Sequence, residues 1–303
     1  MSNSSALLKL ALALFVPLMS SATWAQGGGG ADISHPGPRL VHIDYDKLYA
    51  MPAPPHYQPF DYYAAFLISA ATQQTPMSMD FARPTPDGIE QTMDVVFKEV
   101  DGIKLALDIH QPRPDGSPNP LLVIIHGGYW KAGDKAQYRP YSLDFAAMGY
   151  TVATLNYRLS GQAPFPAAVE DIRDAIRYLI KHGDRLHIDP GSIILFGSSA
   201  GGHLAAFAGL AANTAGSSYM EGVDVTAIKA VISIYGIHDL SGPDQQHHAF
   251  TRQFMGADYE ASPQSYREAS TITHVDKNDT PVMLIHGTLD TSVPVCHSDK
   301  LSE

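Results

Sequence analysis

Cysteine is almost absent from this chain: Cys296 is the only one among 303 residues, so no disulfide can form within it. A chain of that length needs none, because a large domain buries enough apolar surface to hold itself together. Basic blocks are also missing. Lys and Arg number 20 against 31 Asp and Glu, for a formal charge of -11. Phosphate binding needs clustered cations, so the balance argues against a nucleic-acid partner. No apolar run is long enough to cross a bilayer. The longest early stretch, Leu10–Met19, falls well short of the roughly 20 residues required. With Lys9 ahead of it and small residues behind, it reads as an export signal over residues 1–25, cleaved after Ala25 or Ala22. That predicts a secreted or periplasmic protein with no stable membrane span. Metal-ligand spacing is lacking as well. His247 and His248 are adjacent but have no carboxylate or cysteine at ligand spacing, so neither a metal nor an organic cofactor is implied.

What is present fits a globular α/β protein, with 45% hydrophobic and 17% charged residues. Residues 26–91 open on the flexible Gly27–Gly30 linker and continue as an irregular arm rich in Pro, Tyr and Ala, in which Tyr62–Ile68 suits a short helix. The regular domain is expected over 92–303. Met93–Val100 and Ile103–His110 flank Asp101-Gly102, the commonest hairpin signal, and should pair antiparallel. Pro120–His126 is continuously apolar, as a strand buried on both faces must be. Strands at Tyr150–Asn156, Ser192–Phe196, Ala227–Tyr235 and Pro281–Ile285 then alternate with helices at Phe165–Lys181 and Ala200–Ala212. Such alternation gives parallel βαβ units with helices on both faces of one sheet. Residues 237–279 carry no regular pattern and read as a cap-like insertion over the site.

The chemistry centres on Gly197-Ser198-Ser199-Ala200-Gly201, set between an apolar strand and a small-residue helix. A turn this sharp strains the serine backbone, and the flanking glycines remove Cβ atoms that would clash. Ser199 is the candidate nucleophile. A serine needs a base to take its proton and donors to hold the oxyanion that follows. His126-Gly127-Gly128-Tyr129-Trp130 closes the buried strand at the sheet edge where ligands bind. The amides of Gly127 and Gly128, with that of Ala200, are the candidate oxyanion hole.

With Gly133-Asp134-Lys135, Asn156-Tyr157-Arg158-Leu159, Phe165-Pro166 and Glu170-Asp171 added, these motifs resemble the α/β-hydrolase superfamily. Within it they are similar to secreted esterases of the BD-FAE-like and hormone-sensitive-lipase-like groups. The resemblance covers roughly residues 92–303. It implies Ser199 as nucleophile, a carboxylate after a later strand and a histidine after the last one. Asp290, in the loop after Pro281–Ile285, stands where that carboxylate belongs, and it also suits a cap for the following helix. His-Gly-Gly-Tyr-Trp resembles arylformamidases too, which keeps the acyl substrate open.

The base is not found. A helix, a connection and a last strand would take roughly 20 to 25 residues, and only 13 follow Asp290. The spacing therefore predicts a C-terminally incomplete chain, with the last strand and the general-base histidine beyond Glu303 and Val282–Ile285 left as an apolar sheet edge. His126, His203, His238, His286 and His297 read as structural, His238 being the least unsuited of them. The expected activity is serine-dependent hydrolysis of a small-molecule carboxylic ester through an acyl-enzyme. The alternatives are an arylformamidase and a non-catalytic binding protein on the same scaffold.

Overall fold

The computed structural model describes residues 84–211 and 218–303. The expected signal and linker and almost all of the expected arm, including the short helix expected at Tyr62–Ile68, lie outside the described residues. Strands β1 (Ile89–Val100) and β2 (Ile103–Pro112) form the expected hairpin. Asp101 and Gly102 both have positive φ, 51° and 77°, as a two-residue turn matched to strand twist requires. The other strands are β3 (Asn119–Ile125), β4 (Thr151–Leu155), β5 (Ile188–Ser198), β6 (Ile228–Ile234) and β7 (Val282–Ile285). They form one sheet in the order β1-β2-β4-β3-β5-β6-β7. The β1–β2 and β2–β4 pairs are antiparallel and all the others parallel.

Helices α1 (Arg139–Ala147), α2 (Ala167–Lys181) and α3 (Ala200–Leu210) cover the sheet. Ala168, Ile172, Ala175, Ile176 and Leu179 recur at helical spacing on α2 and are buried with α3 and Leu195 of β5 in one cluster. The next residue of β5, Phe196, points the other way and meets Phe145 of α1 at 6.2 Å, so α1 lies on the opposite face. The sequence pattern did not reveal α1. Its buried positions, Pro140, Ser142, Leu143, Phe145 and Ala146, mix polar with apolar and form no clean stripe.

From β3 the chain goes to β4 on one side, then crosses through α2 to β5 on the other. The loops after β3 and β5 therefore leave the sheet at its switch point, the place where open α/β sheets bind ligands. The 237–279 stretch is more regular than its composition suggests. It holds α4 (Ala249–Met255) and α5 (Pro263–Ala269), each only seven residues long and so too short for a periodic signal. Past β7 lies α6 (Cys296–Ser302), which includes His297. Among the described residues β7 is the outermost strand on its side, and its four residues are half-buried.

Candidate active site

Ser199 sits at the β5–α3 junction with φ 53° and ψ -123°, a left-handed conformation that a residue with a side chain avoids. Its amide donates to the Ile234 carbonyl at 2.9 Å, which fixes the turn to β6. The neighbouring glycines have direct steric reasons. A Cβ on Gly201 would overlap the Ile125 carbonyl oxygen and come within 2.6 Å of that of His126, and one on Gly197 would overlap the Gly201 carbonyl. Close approach of α3 to the end of β3 thus depends on bare backbone, and it brings the elbow beside the His126–Trp130 loop. Ser199 is 7% exposed, and no hydrogen bond engages its hydroxyl among the described residues.

The His126–Trp130 loop is held from several sides. Gly128 has φ 114°, and the amides of Lys131 and Ala132 both donate to its carbonyl at 3.0 Å. His126 donates through Nδ1 to the Gly127 carbonyl at 2.8 Å and stacks on Tyr157 at 4.4 Å, while the Tyr157 hydroxyl donates to the His126 carbonyl at 2.9 Å. Further on, Asn156 accepts from the Lys135 amide and donates to Asp134. Lys135 reaches inward to Asp94 and Asp108, both at 2.7 Å. With the loop so fixed, the amides of Gly127, Gly128 and Ala200 have no acceptor among the described residues.

Asp290 lies in the loop after β7. Its Oδ1 accepts from the amides of Ser292 at 2.8 Å and Val293 at 3.0 Å, so it does cap the turn leading to α6. Its Oδ2 lies 3.7 Å from His286 Nε2. The Tyr129 hydroxyl donates to the Ser292 carbonyl at 3.3 Å, tying the His126–Trp130 loop to this one.

The histidines considered as substitutes are occupied elsewhere. His203 and His238 are fully buried with both ring nitrogens bonded, the latter to Ser233 at 3.1 Å and Thr271 at 2.8 Å. β6 ends at Ile234, so His238 lies in the following loop. His286 donates to the Val293 carbonyl and bonds Ser298, and His297 pairs with Asp244 at 2.7 Å while accepting from the Asp239 amide. Burial pushes His126 and His203 down to about 4, which keeps both neutral. His247 lies 3.6 Å from Glu260, and His248 stacks on Tyr129 at 5.4 Å. No cluster of three or more His, Cys, Asp or Glu side chains able to hold a metal occurs among the described residues. No helix among them is long and apolar enough to cross a membrane.

The motif residues Arg158 and Asp171 meet in the structure. Arg158 forks onto the buried Asp171 carboxylate at 2.8 Å from both Nε and a terminal nitrogen, and Lys98 of β1 joins it at 2.7 Å. Trp130 and His203, by contrast, gave no sequence signal of their link. The indole donates to the imidazole at 3.2 Å across 73 residues.

The BD-FAE family model matches residues 107–303. Esterase LipQ of Mycobacterium tuberculosis is 32% identical over 221 residues, which are 70% of this chain and 52% of that one. Mouse hormone-sensitive lipase is 34% identical over 116 residues, 37% of this chain and 15% of that one. A solved truncated form of carbohydrate esterase from gut microbiota superposes with a TM-score of 0.61 at 26% identity, covering 72% of this chain and 84% of that one. The chain spans about half the length of the mycobacterial esterases it matches. Its mostly parallel sheet, its strand-elbow-helix and the match over residues 107–303 together place the chain in the BD-FAE family, with the α/β-hydrolase fold.

Proposed function

We propose that this protein hydrolyses a carboxylic ester by acyl transfer through Ser199. The observation that carries the reading is the strained Ser199 at the sheet switch point, with three unengaged amides, those of Gly127, Gly128 and Ala200, on the loops around it. The hydroxyl attacks the ester carbonyl, the amides hold the oxyanion, the alcohol leaves, and water releases the acid from the acyl-enzyme. Asp290 orients the imidazole that takes and returns the proton. His203, His238, His286 and His297 have both ring nitrogens engaged and His126 is tied to the Gly127 carbonyl, so that imidazole is assigned to none of these five. The esterase relatives support the reaction class. The 237–279 stretch serves as a cap, and residues 1–25 direct export to the periplasm or medium.

Ser199→Ala should abolish hydrolysis of p-nitrophenyl acetate by the intact enzyme, a loss of at least 10³-fold of the order seen when a triad member is removed. Unchanged turnover would exclude Ser199 as nucleophile. N-Formylkynurenine run beside the ester tests the arylformamidase alternative. The occupied histidines favour one further reading, a binding protein that retains the scaffold. Fluorophosphonate labelling of the intact protein separates them, since only an activated Ser199 reacts.

A further inference from the structure

His203 stands one turn beyond Ser199 on α3, its amide donating to the Ser199 carbonyl at 3.0 Å. Its side chain is fully buried and bonded at both ends. Nε2 lies 2.7 Å from the Ala269 carbonyl at the end of α5, and a carbonyl only accepts, so the ring proton is on Nε2. Nδ1 is therefore a bare acceptor, and the Trp130 indole N–H donates to it at 3.2 Å. Both bonds require one tautomer of the neutral ring. The imidazole meets the indole edge-on, at 5.3 Å between centroids and 89° between planes. Phe254 of α4 stacks on the indole at 4.4 Å.

Stacking on Phe254 sets the plane of the buried indole, and the bond to His203 directs its N–H within that plane. Trp130 follows Gly128 by two residues and Gly127 by three, and its carbonyl accepts from the Ser160 amide at 2.7 Å. We propose that His203 is the positioning residue of the oxyanion loop. Held by the Ala269 carbonyl, it fixes Trp130 and thereby sets the Gly127 and Gly128 amides relative to Ser199 on its own helix. This ring hydrogen-bonds the loop on one side and the insertion on the other, beside the stacking of Phe254 on Trp130 and of His248 on Tyr129. The inference rests on Gly127 and Gly128 being the oxyanion donors, but its test does not require turnover.

The two ring nitrogens can be removed separately. In His203→Gln the side-chain amide nitrogen replaces Nε2 and keeps the bond to Ala269, while the acceptor for Trp130 is lost. In His203→Asn the side-chain oxygen replaces Nδ1 and keeps Trp130. Trp130→Phe deletes the donor while keeping an aromatic ring. Amide hydrogen exchange of the full-length chain, followed on peptides covering 126–133, should be at least tenfold faster in His203→Gln and in Trp130→Phe. It should be no faster in their double variant than in the worse single one, and within threefold of wild type in His203→Asn. Peptides from the β1–β2 hairpin report global unfolding in each variant. Should His203→Gln unfold, Trp130→Phe still tests the bond. Loop exchange unchanged in Trp130→Phe, or accelerated as much by Asn as by Gln, would overturn the proposal. In the intact enzyme His203→Gln should lower kcat at least tenfold with KM within twofold. An absence of ester turnover in wild type would count against the proposed function and leave the exchange result standing.

Discussion

A side chain at φ 53° costs about 1–3 kcal/mol of backbone strain, and Ser199 bears that cost at the point where the hydroxyl leaves the sheet. The neighbourhood prevents relaxation: the Ser199 amide is bonded to Ile234, and Gly197 and Gly201 are packed against backbone oxygens. Two substitutions separate strain from chemistry. Ser199→Ala removes the hydroxyl and keeps the strained Cβ, whereas Ser199→Gly removes both. Glycine gains from the released strain and loses part of it to the greater freedom of the unfolded chain. The expected result is inactivity in both, with the glycine variant more stable than the alanine variant by about 1 kcal/mol in urea unfolding. Equal stabilities would mean that the serine conformation carries no strain. Asp290 shows two uses of one side chain, since Oδ1 caps the turn to α6 and Oδ2 faces His286.

Between elements, the buried Asp171 carboxylate is the main polar link. It lies on α2, accepts from the Arg158 amide and guanidinium after β4, and binds Lys98 on β1. Two neighbouring segments and β1, 73 residues from Asp171, thus meet at one charge with no exposure to water. Removing the carboxylate leaves two cations facing a buried gap, so Asp171→Ala should cost about 3–5 kcal/mol. Glu170, which reaches the same guanidinium from a side chain that is 40% exposed, should cost less than about 1 kcal/mol on truncation. Urea midpoints of the two variants check the contrast, and equal losses would contradict it. This link also shows what the sequence makes legible. Arg158 and Glu170-Asp171 stand out as motif residues, but no local rule states that they pair, because the pairing depends on how α2 returns across the sheet. Strands and the elbow are readable because their signals are local: the Asp101-Gly102 turn, the apolar β3, the glycines about Ser199. α1 is not, for its buried side includes Ser142 and Pro140 and shows no stripe. The His203–Trp130 bond is invisible for the same reason as the Arg158–Asp171 link, since its partners are adjacent only once β3 and β5 lie side by side.

At the scale of the molecule, buried imidazoles make the fold sensitive to acid. His110, His126 and His203 are each pushed by burial from 6.5 down to about 4. His238 and His297 are lowered by burial as well. In every case the folded state holds the ring neutral while the unfolded chain protonates it near 6.5. The stability that these rings allow is therefore complete above 6.5, falls as the pH drops through the window from 6.5 to 4, and is gone below it. A ring moved that far gives up on the order of 3 kcal/mol across the window, so three of them amount to roughly the whole stability of a typical domain. The protein should unfold between about pH 4 and 6, before most carboxylates titrate. His110 offers the cleanest check. It is fully buried on β2 with neither ring nitrogen hydrogen-bonded, so an apolar replacement sacrifices no bond. Asp108 opposes its shift, and Arg139 and Lys135 reinforce it, but burial dominates. His110→Leu should gain about 2 kcal/mol more over wild type at pH 5 than at pH 7.5, read from urea unfolding at the two values. Parallel pH profiles for the two proteins would show that His110 takes up no extra proton on unfolding, and the acid sensitivity would then have to arise from the other four rings.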